Sequence, residues 1–104
     1  MSTRSPGGAE KVAEQRRSRT ALPPLYKVLM HNDDYTTMEF VVEALEKVFR
    51  QPPPEATRIM LNIHYQGVGI CGIYPHEIAE TKVEKVHDMA KVAGFPLRCS
   101  LESI

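Results

Sequence analysis

The placement of proline constrains this chain more than any other feature of its sequence. Seven of its eight prolines form Pro23-Pro24, Pro52-Pro53-Pro54, Pro75 and Pro96, and no regular helix or central strand runs through such points. The ring fixes φ and removes an N–H donor. Each interval between them has room for only one or two elements, and its own apolar period says which.

After Pro24 the run Leu25-Tyr26-Lys27-Val28-Leu29-Met30 predicts a strand, ended by the turn-forming cluster His31-Asn32-Asp33-Asp34. Thr36, with Glu39 three residues on, has the form of a capping box. Met38, Val41, Val42, Leu45, Val48 and Phe49 then recur at helical spacing and predict a helix over 37–50, with Lys47 and Arg50 suiting its carboxyl end. The proline triplet stops that helix, and Pro54 can open a second one of about three turns. Ala56, Ile59, Met60 and Ile63 are its stripe, and it closes near Tyr65 with Gly67 as a left-handed cap. Val68–Ile73 predicts a second strand in which glycines leave room for a bulge or a close backbone approach. Pro75 opens a helix over 75–93, with Ala79, Val83, Val86, Ala90 and Ala93 inward and Gly94 as its cap. Leu97, Cys99 and Leu101 alternate with polar residues, the period of a strand with one dry face. The order is β-α-α-β-α-β. That order predicts an α+β fold: a two-layer sandwich of a three-stranded antiparallel sheet with helices on one face.

A length of 104 residues, 42% of them hydrophobic, supplies one core and not two. The formal net charge of 0 hides an asymmetry. Residues 1–22 carry Arg4, Lys11, Arg16, Arg17 and Arg19 against Glu10 and Glu14, which leaves 23–104 with a surplus of acid. The first stretch has almost no large apolar residue to offset its ordering entropy, so it reads as a flexible extension, and 23–104 as the folded domain. No stretch resembles a secretory signal or approaches the roughly 18 apolar residues of a membrane span, which predicts a cytoplasmic protein. Cys71 and Cys99 have neither a disulfide framework nor zinc-ligand spacing around them and read as core thiols.

Catalytic templates are missing from the sequence. There is no nucleophile elbow and no phosphate loop, and His76-Glu77 continues to Glu80 where a zinc protease needs a second histidine. Asp33 and Asp34 could act as an acid–base pair or merely form a turn with an Asx-type bond. His64, four residues after Met60 on the same helical face, could be a packed side chain or a ligand. A metal-dependent hydrolase built on His64, His76 and the aspartates is one reading; a nucleic-acid-binding domain using the basic extension is another. No aromatic residue is interleaved with those arginines, which weighs against nucleic acid as a partner.

Asn32-Asp33-Asp34-Tyr35-Thr36, Met38-Glu39-Phe40-Val41, His64-Tyr65-Gln66-Gly67, Ile70-Cys71-Gly72, Ala79-Glu80-Thr81-Lys82-Val83 and Pro96-Leu97 occur in that order. In these motifs the chain resembles the ClpS family, adaptors that deliver N-end-rule substrates to the Clp AAA+ protease. The likeness covers 23–104 and implies a non-enzymatic adaptor without cofactor or metal. By resemblance, Asn32, Asp34 and His64, with Asp33 beside them, bind the α-amino group of a substrate's first residue. Thr36, Met38, Val41, Val42, Met60, Ile63 and Leu97 correspond to the pocket for its bulky side chain: Leu, Phe, Tyr or Trp. Met38 resembles a gate against β-branched residues. Glu77, Thr81 and Lys82 match the surface that meets the amino-terminal domain of ClpA, and the extension matches a segment that the unfoldase engages. A monomer is expected. Thr37 departs from the family, which commonly has proline there; the loss of a preorganised turn is expected to loosen the gate.

The chemistry agrees with that assignment. An α-amino group with an ordinary pKa of about 7.7–8.0 is mostly an ammonium at neutral pH and offers three donors. An amide oxygen, a carboxylate and a neutral imidazole nitrogen are all acceptors.

Overall fold

Six elements follow one another in the order that the apolar periods predict. In the computed structural model, which describes residues 22–104, they are β1 (Leu25–His31), α1 (Met38–Lys47), α2 (Pro53–Gln66), β2 (Val68–Pro75), α3 (His76–Ala93) and β3 (Arg98–Ser103). The predicted extension 1–22 lies outside the described residues except for Leu22. The strands form one antiparallel sheet in the order β2-β1-β3. The first strand of the chain is therefore the central one.

Alternation on β1 decides which face is covered. Val28 and Met30 have no exposed surface, and Met30 pairs with Gly69 on one side and Cys99 on the other. Against that face pack Ala44 and Leu45 of α1, Ala56, Ile59 and Ile63 of α2, and Ala79, Val86 and Ala90 of α3. The other face carries Lys27, 3.9 Å from Glu102, and Leu29 paired with Ile70. The register of β2 slips where Val28 pairs with Gly72 and Leu29 with Ile70; Cys71 is the extra residue of the predicted bulge and stays buried.

Element ends differ from expectation for identifiable reasons. The amino-terminal cap of α1 is Thr37, not Thr36: Thr37 Oγ1 accepts from the Phe40 N–H at 3.1 Å. Thr36 is engaged elsewhere, its hydroxyl donating to Asp33 Oδ2 at 2.7 Å, so the capping box with Glu39 does not form. The φ of Thr37, −74°, lies inside the range of proline, so the chain adopts the backbone that the family's proline would impose and adds a hydroxyl cap. The helix stops at Lys47 instead of Arg50. Arg50 takes a left-handed φ of 57°, which turns the chain so that Phe49 is buried and the Gln51 side chain donates to the Cys71 carbonyl at 2.9 Å. Helix α2 runs for 14 residues from Pro53, longer than predicted, and closes on Gly67 at φ 88°. Ala93, expected inward, is exposed in the last turn of α3, beside Val92 at 91% exposure.

Lys82 joins two helices. Its Nζ donates to the carbonyl of Val48, the carboxyl-terminal cap of α1, at 2.8 Å and lies 5.2 Å from the centre of the Tyr74 ring. Among the described residues no helix is long and apolar enough to cross a membrane.

Candidate functional site

The loop between β1 and α1 is organised by one carboxylate. Asp33 Oδ1 accepts from the backbone N–H groups of Tyr35 at 2.8 Å and Thr36 at 2.7 Å, while Oδ2 accepts from the Thr36 hydroxyl. This is the Asx-type turn that the sequence left open, closed by both oxygens. Desolvation works to raise the Asp33 pKa, but the bonds from Thr36 and Tyr35 outweigh it and hold the carboxyl below its ordinary range. Asp33 is thus occupied with loop geometry, and the neighbouring Asn32 and Asp34 stand exposed.

A second tie brings that loop to α2. The Asn32 N–H donates to the carbonyl of Gly67, the left-handed cap of α2, at 2.9 Å. The end of α2 is thereby held against the exit of β1, and His64, in the last turn of α2, comes to the same side as Asn32 and Asp34. The imidazole lies edge-on to Tyr65, with ring centres 4.9 Å apart.

Between the loop, α1 and α2 lies a cavity of about 250 Å³. Asn32, Asp33, Asp34, Thr36 and His64 give it a polar rim; Met38, Val41, Met60 and Ile63 line the rest. All nine are among the residues named from the sequence. Val42 and Leu97, also named for the pocket, do not line it. Val42 is one helical step, about 100°, round from Val41, and Leu97 is 5% exposed, in the core just before β3. With five acceptor-bearing side chains at the rim and no arginine or lysine lining the cavity, the hollow suits a cation carried beside an apolar group.

The other candidates lie apart from this cavity. His76 is 3.6 Å from Glu80 and edge-on to Tyr26, and among the described residues no three His, Cys, Asp or Glu side chains converge as a metal ion requires. Glu77, Thr81 and Lys82 line a hollow of about 290 Å³ on α3 with Ile78 and Lys85. There the Thr81 hydroxyl donates to the Glu77 carbonyl at 3.0 Å, and Lys82 is held by Val48. Sequence reasoning missed this contact of Lys82, since a lysine in an exposed helical pattern carries no signal of a distant carbonyl.

The family model of the ATP-dependent Clp protease adaptor protein ClpS matches residues 21–100. An ATP-dependent Clp protease adapter protein ClpS of Desulfatibacillum aliphaticivorans is 58% identical over 91 residues, covering 88% of each chain. One from Maricaulis maris is 54% identical over 91 residues, covering 88% of this chain and 84% of its own. Among solved structures, Agrobacterium tumefaciens ClpS2 bound to L-phenylalaninamide superposes with a TM-score of 0.77 at 41% identity, over 80% of this chain and all of that one.

Proposed function

The chain belongs to the ClpS family of Clp protease adaptor proteins, and from that premise we propose that it binds proteins by a bulky first residue and its free α-amine. Membership makes it an adaptor and not an enzyme, working with the AAA+ component of a Clp protease. The observation that carries the finer reading is the cavity itself, in which a polar rim of Asn32, Asp34 and His64 borders an apolar hollow of Met38, Val41, Met60 and Ile63. Phenylalaninamide, the ligand of the Agrobacterium neighbour, joins a free amine to an aromatic side chain, the same two features in one molecule.

The amine supplies three donors to Asn32 Oδ1, an Asp34 oxygen and a His64 ring nitrogen, and Asp33 adds charge while holding the loop. Burying a Leu or Phe side chain contributes about 1.5–3 kcal/mol, and each hydrogen bond to the ammonium about as much. Neither half suffices alone, which excludes internal lysines and capped termini. Captured clients pass to the ClpA amino-terminal domain through Glu77, Thr81 and Lys82 on α3. We assign 23–104 as the binding domain, residues 1–22 as the segment engaged during delivery, the monomer as the working form, and the cytoplasm as its compartment.

Titration of a Leu- or Phe-starting peptide tests the reading. Asp34→Ala is expected to weaken binding about tenfold or more, and acetylation of the peptide's amine to abolish it. Equal affinity for the free and acetylated peptides would refute it.

A further inference from the structure

Behind the Ile63 wall of the cavity, β2 approaches α2 without a side chain. Gly69 is buried and pairs with Met30, and a Cβ placed on it would stand 2.6 Å from Ile63 Cγ1 and 3.6 Å from the Ile59 carbonyl oxygen. The second distance is an ordinary contact. The first is far inside the roughly 3.5–4.0 Å at which carbon atoms rest. Gly69 is not among the positive-φ glycines, which are Gly67 and Gly94, so its backbone would accept alanine. What excludes a side chain there is Ile63.

Ile63 is 2% exposed, with Gly69 on one side and the cavity on the other. The crowded atom is Cγ1, next to Cβ, so the contact is not relieved by swinging a terminal methyl aside. A close-packed core has no spare volume to receive it, and the space open to Ile63 is the cavity. We propose that Gly69 is a specificity-determining residue that acts through Ile63: its missing side chain lets Ile63 recede against β2 and so sets the depth available to the first side chain of a bound peptide. The inference rests on the cavity being the site for that side chain.

Affinities of peptides that differ only in beginning with Leu, Phe or Trp, measured on the full chain and on Gly69→Ala, test it. The variant is expected to lose at least about tenfold on the Phe and Trp peptides relative to the Leu peptide, the size of effect that one methylene of crowding has in an apolar pocket. Adding Ile63→Ala, which removes the crowded Cγ1, is expected to restore much of the loss. Gly72→Ala, whose Cβ meets Tyr74 instead, is expected to leave the ranking unchanged. Equal weakening of all three peptides, or an unchanged ranking in folded Gly69→Ala, would overturn the proposal. Should Gly69→Ala fail to fold, Ile63→Val alone must shift the preference toward Trp, and an unshifted preference overturns it equally. If the wild-type chain binds none of these peptides, the adaptor reading fails on its own account. The position of the Ile63 δ1 methyl resonance in Gly69→Ala then still decides the inference, and an unmoved resonance counts against it.

Discussion

At the scale of single residues, two adjacent aspartates have different tasks. Asp33 accepts three hydrogen bonds within its own loop, while Asp34 stands exposed at the cavity rim. Because folding depresses the Asp33 pKa, its stabilising contribution is complete above the ordinary aspartate value of 3.8 and is lost as pH falls through the lower value of the folded state. NMR titration of the Asp33 carboxyl is expected to give a midpoint below 3.8. A midpoint at or above that value would mean that the loop bonds do not persist in solution. The sequence named both aspartates and could not divide their tasks, since an Asx turn depends on the backbone directions of Tyr35 and Thr36.

At the scale of elements, the ends of the helices aim the site. Thr37 caps α1 with a proline-like backbone, so the first turn, which carries Met38, is held by a hydrogen bond where the family commonly relies on a ring. Thr37→Ala is expected to cost about 1 kcal/mol in thermal or chemical denaturation. Thr37→Pro, compatible with φ −74°, is expected to recover part of that loss and to retain peptide binding. A Thr37→Pro protein less stable than Thr37→Ala would show that the turn depends on the hydroxyl alone. At the other end of the site, Gly67 stops α2 and offers its carbonyl to Asn32. Gly67 as a cap was legible from its position after an apolar stripe. The bond to Asn32 was not, because it joins residues from two different elements.

For the whole molecule, one sheet face organises both the core and the reactivity of its thiols. Cys71 and Cys99 flank β1 on the covered face. Burial raises both thiols, that of Cys71 with a further contribution from Cys99, while Cys99 is pushed up to about 12 against the opposing influence of Arg98. Neither is nucleophilic in the folded protein at neutral pH. Reaction with a disulfide reagent is therefore expected to proceed at the rate of unfolding, and fast labelling of the native protein would contradict the burial. The α3 surface belongs to this scale as well. Under the proposed docking of ClpA on this surface, Glu77→Arg is expected to abolish delivery while leaving peptide affinity intact. Lys82→Ala is expected to lower the melting temperature too, because it frees the Val48 carbonyl from the tie between α3 and α1. Loss of peptide binding by Glu77→Arg would place the two surfaces in one site.

The order of elements and most of each covered face could be read from the chain, and the residues lining the cavity were named from its resemblance to the ClpS family. Proline positions, apolar periods and cap residues are local signals, and each acts within a few positions of itself. Besides the Asn32–Gly67 bond and the division of tasks between the two aspartates, three features waited for the tertiary structure: Lys82 as a tie to α1, the place of Val42 and Leu97 outside the cavity, and the approach of Gly69 to Ile63. The physical reason is common to all three. Each depends on how far one element stands from another, and that distance is set by the packing of side chains between them, not by the periodicity of either element alone.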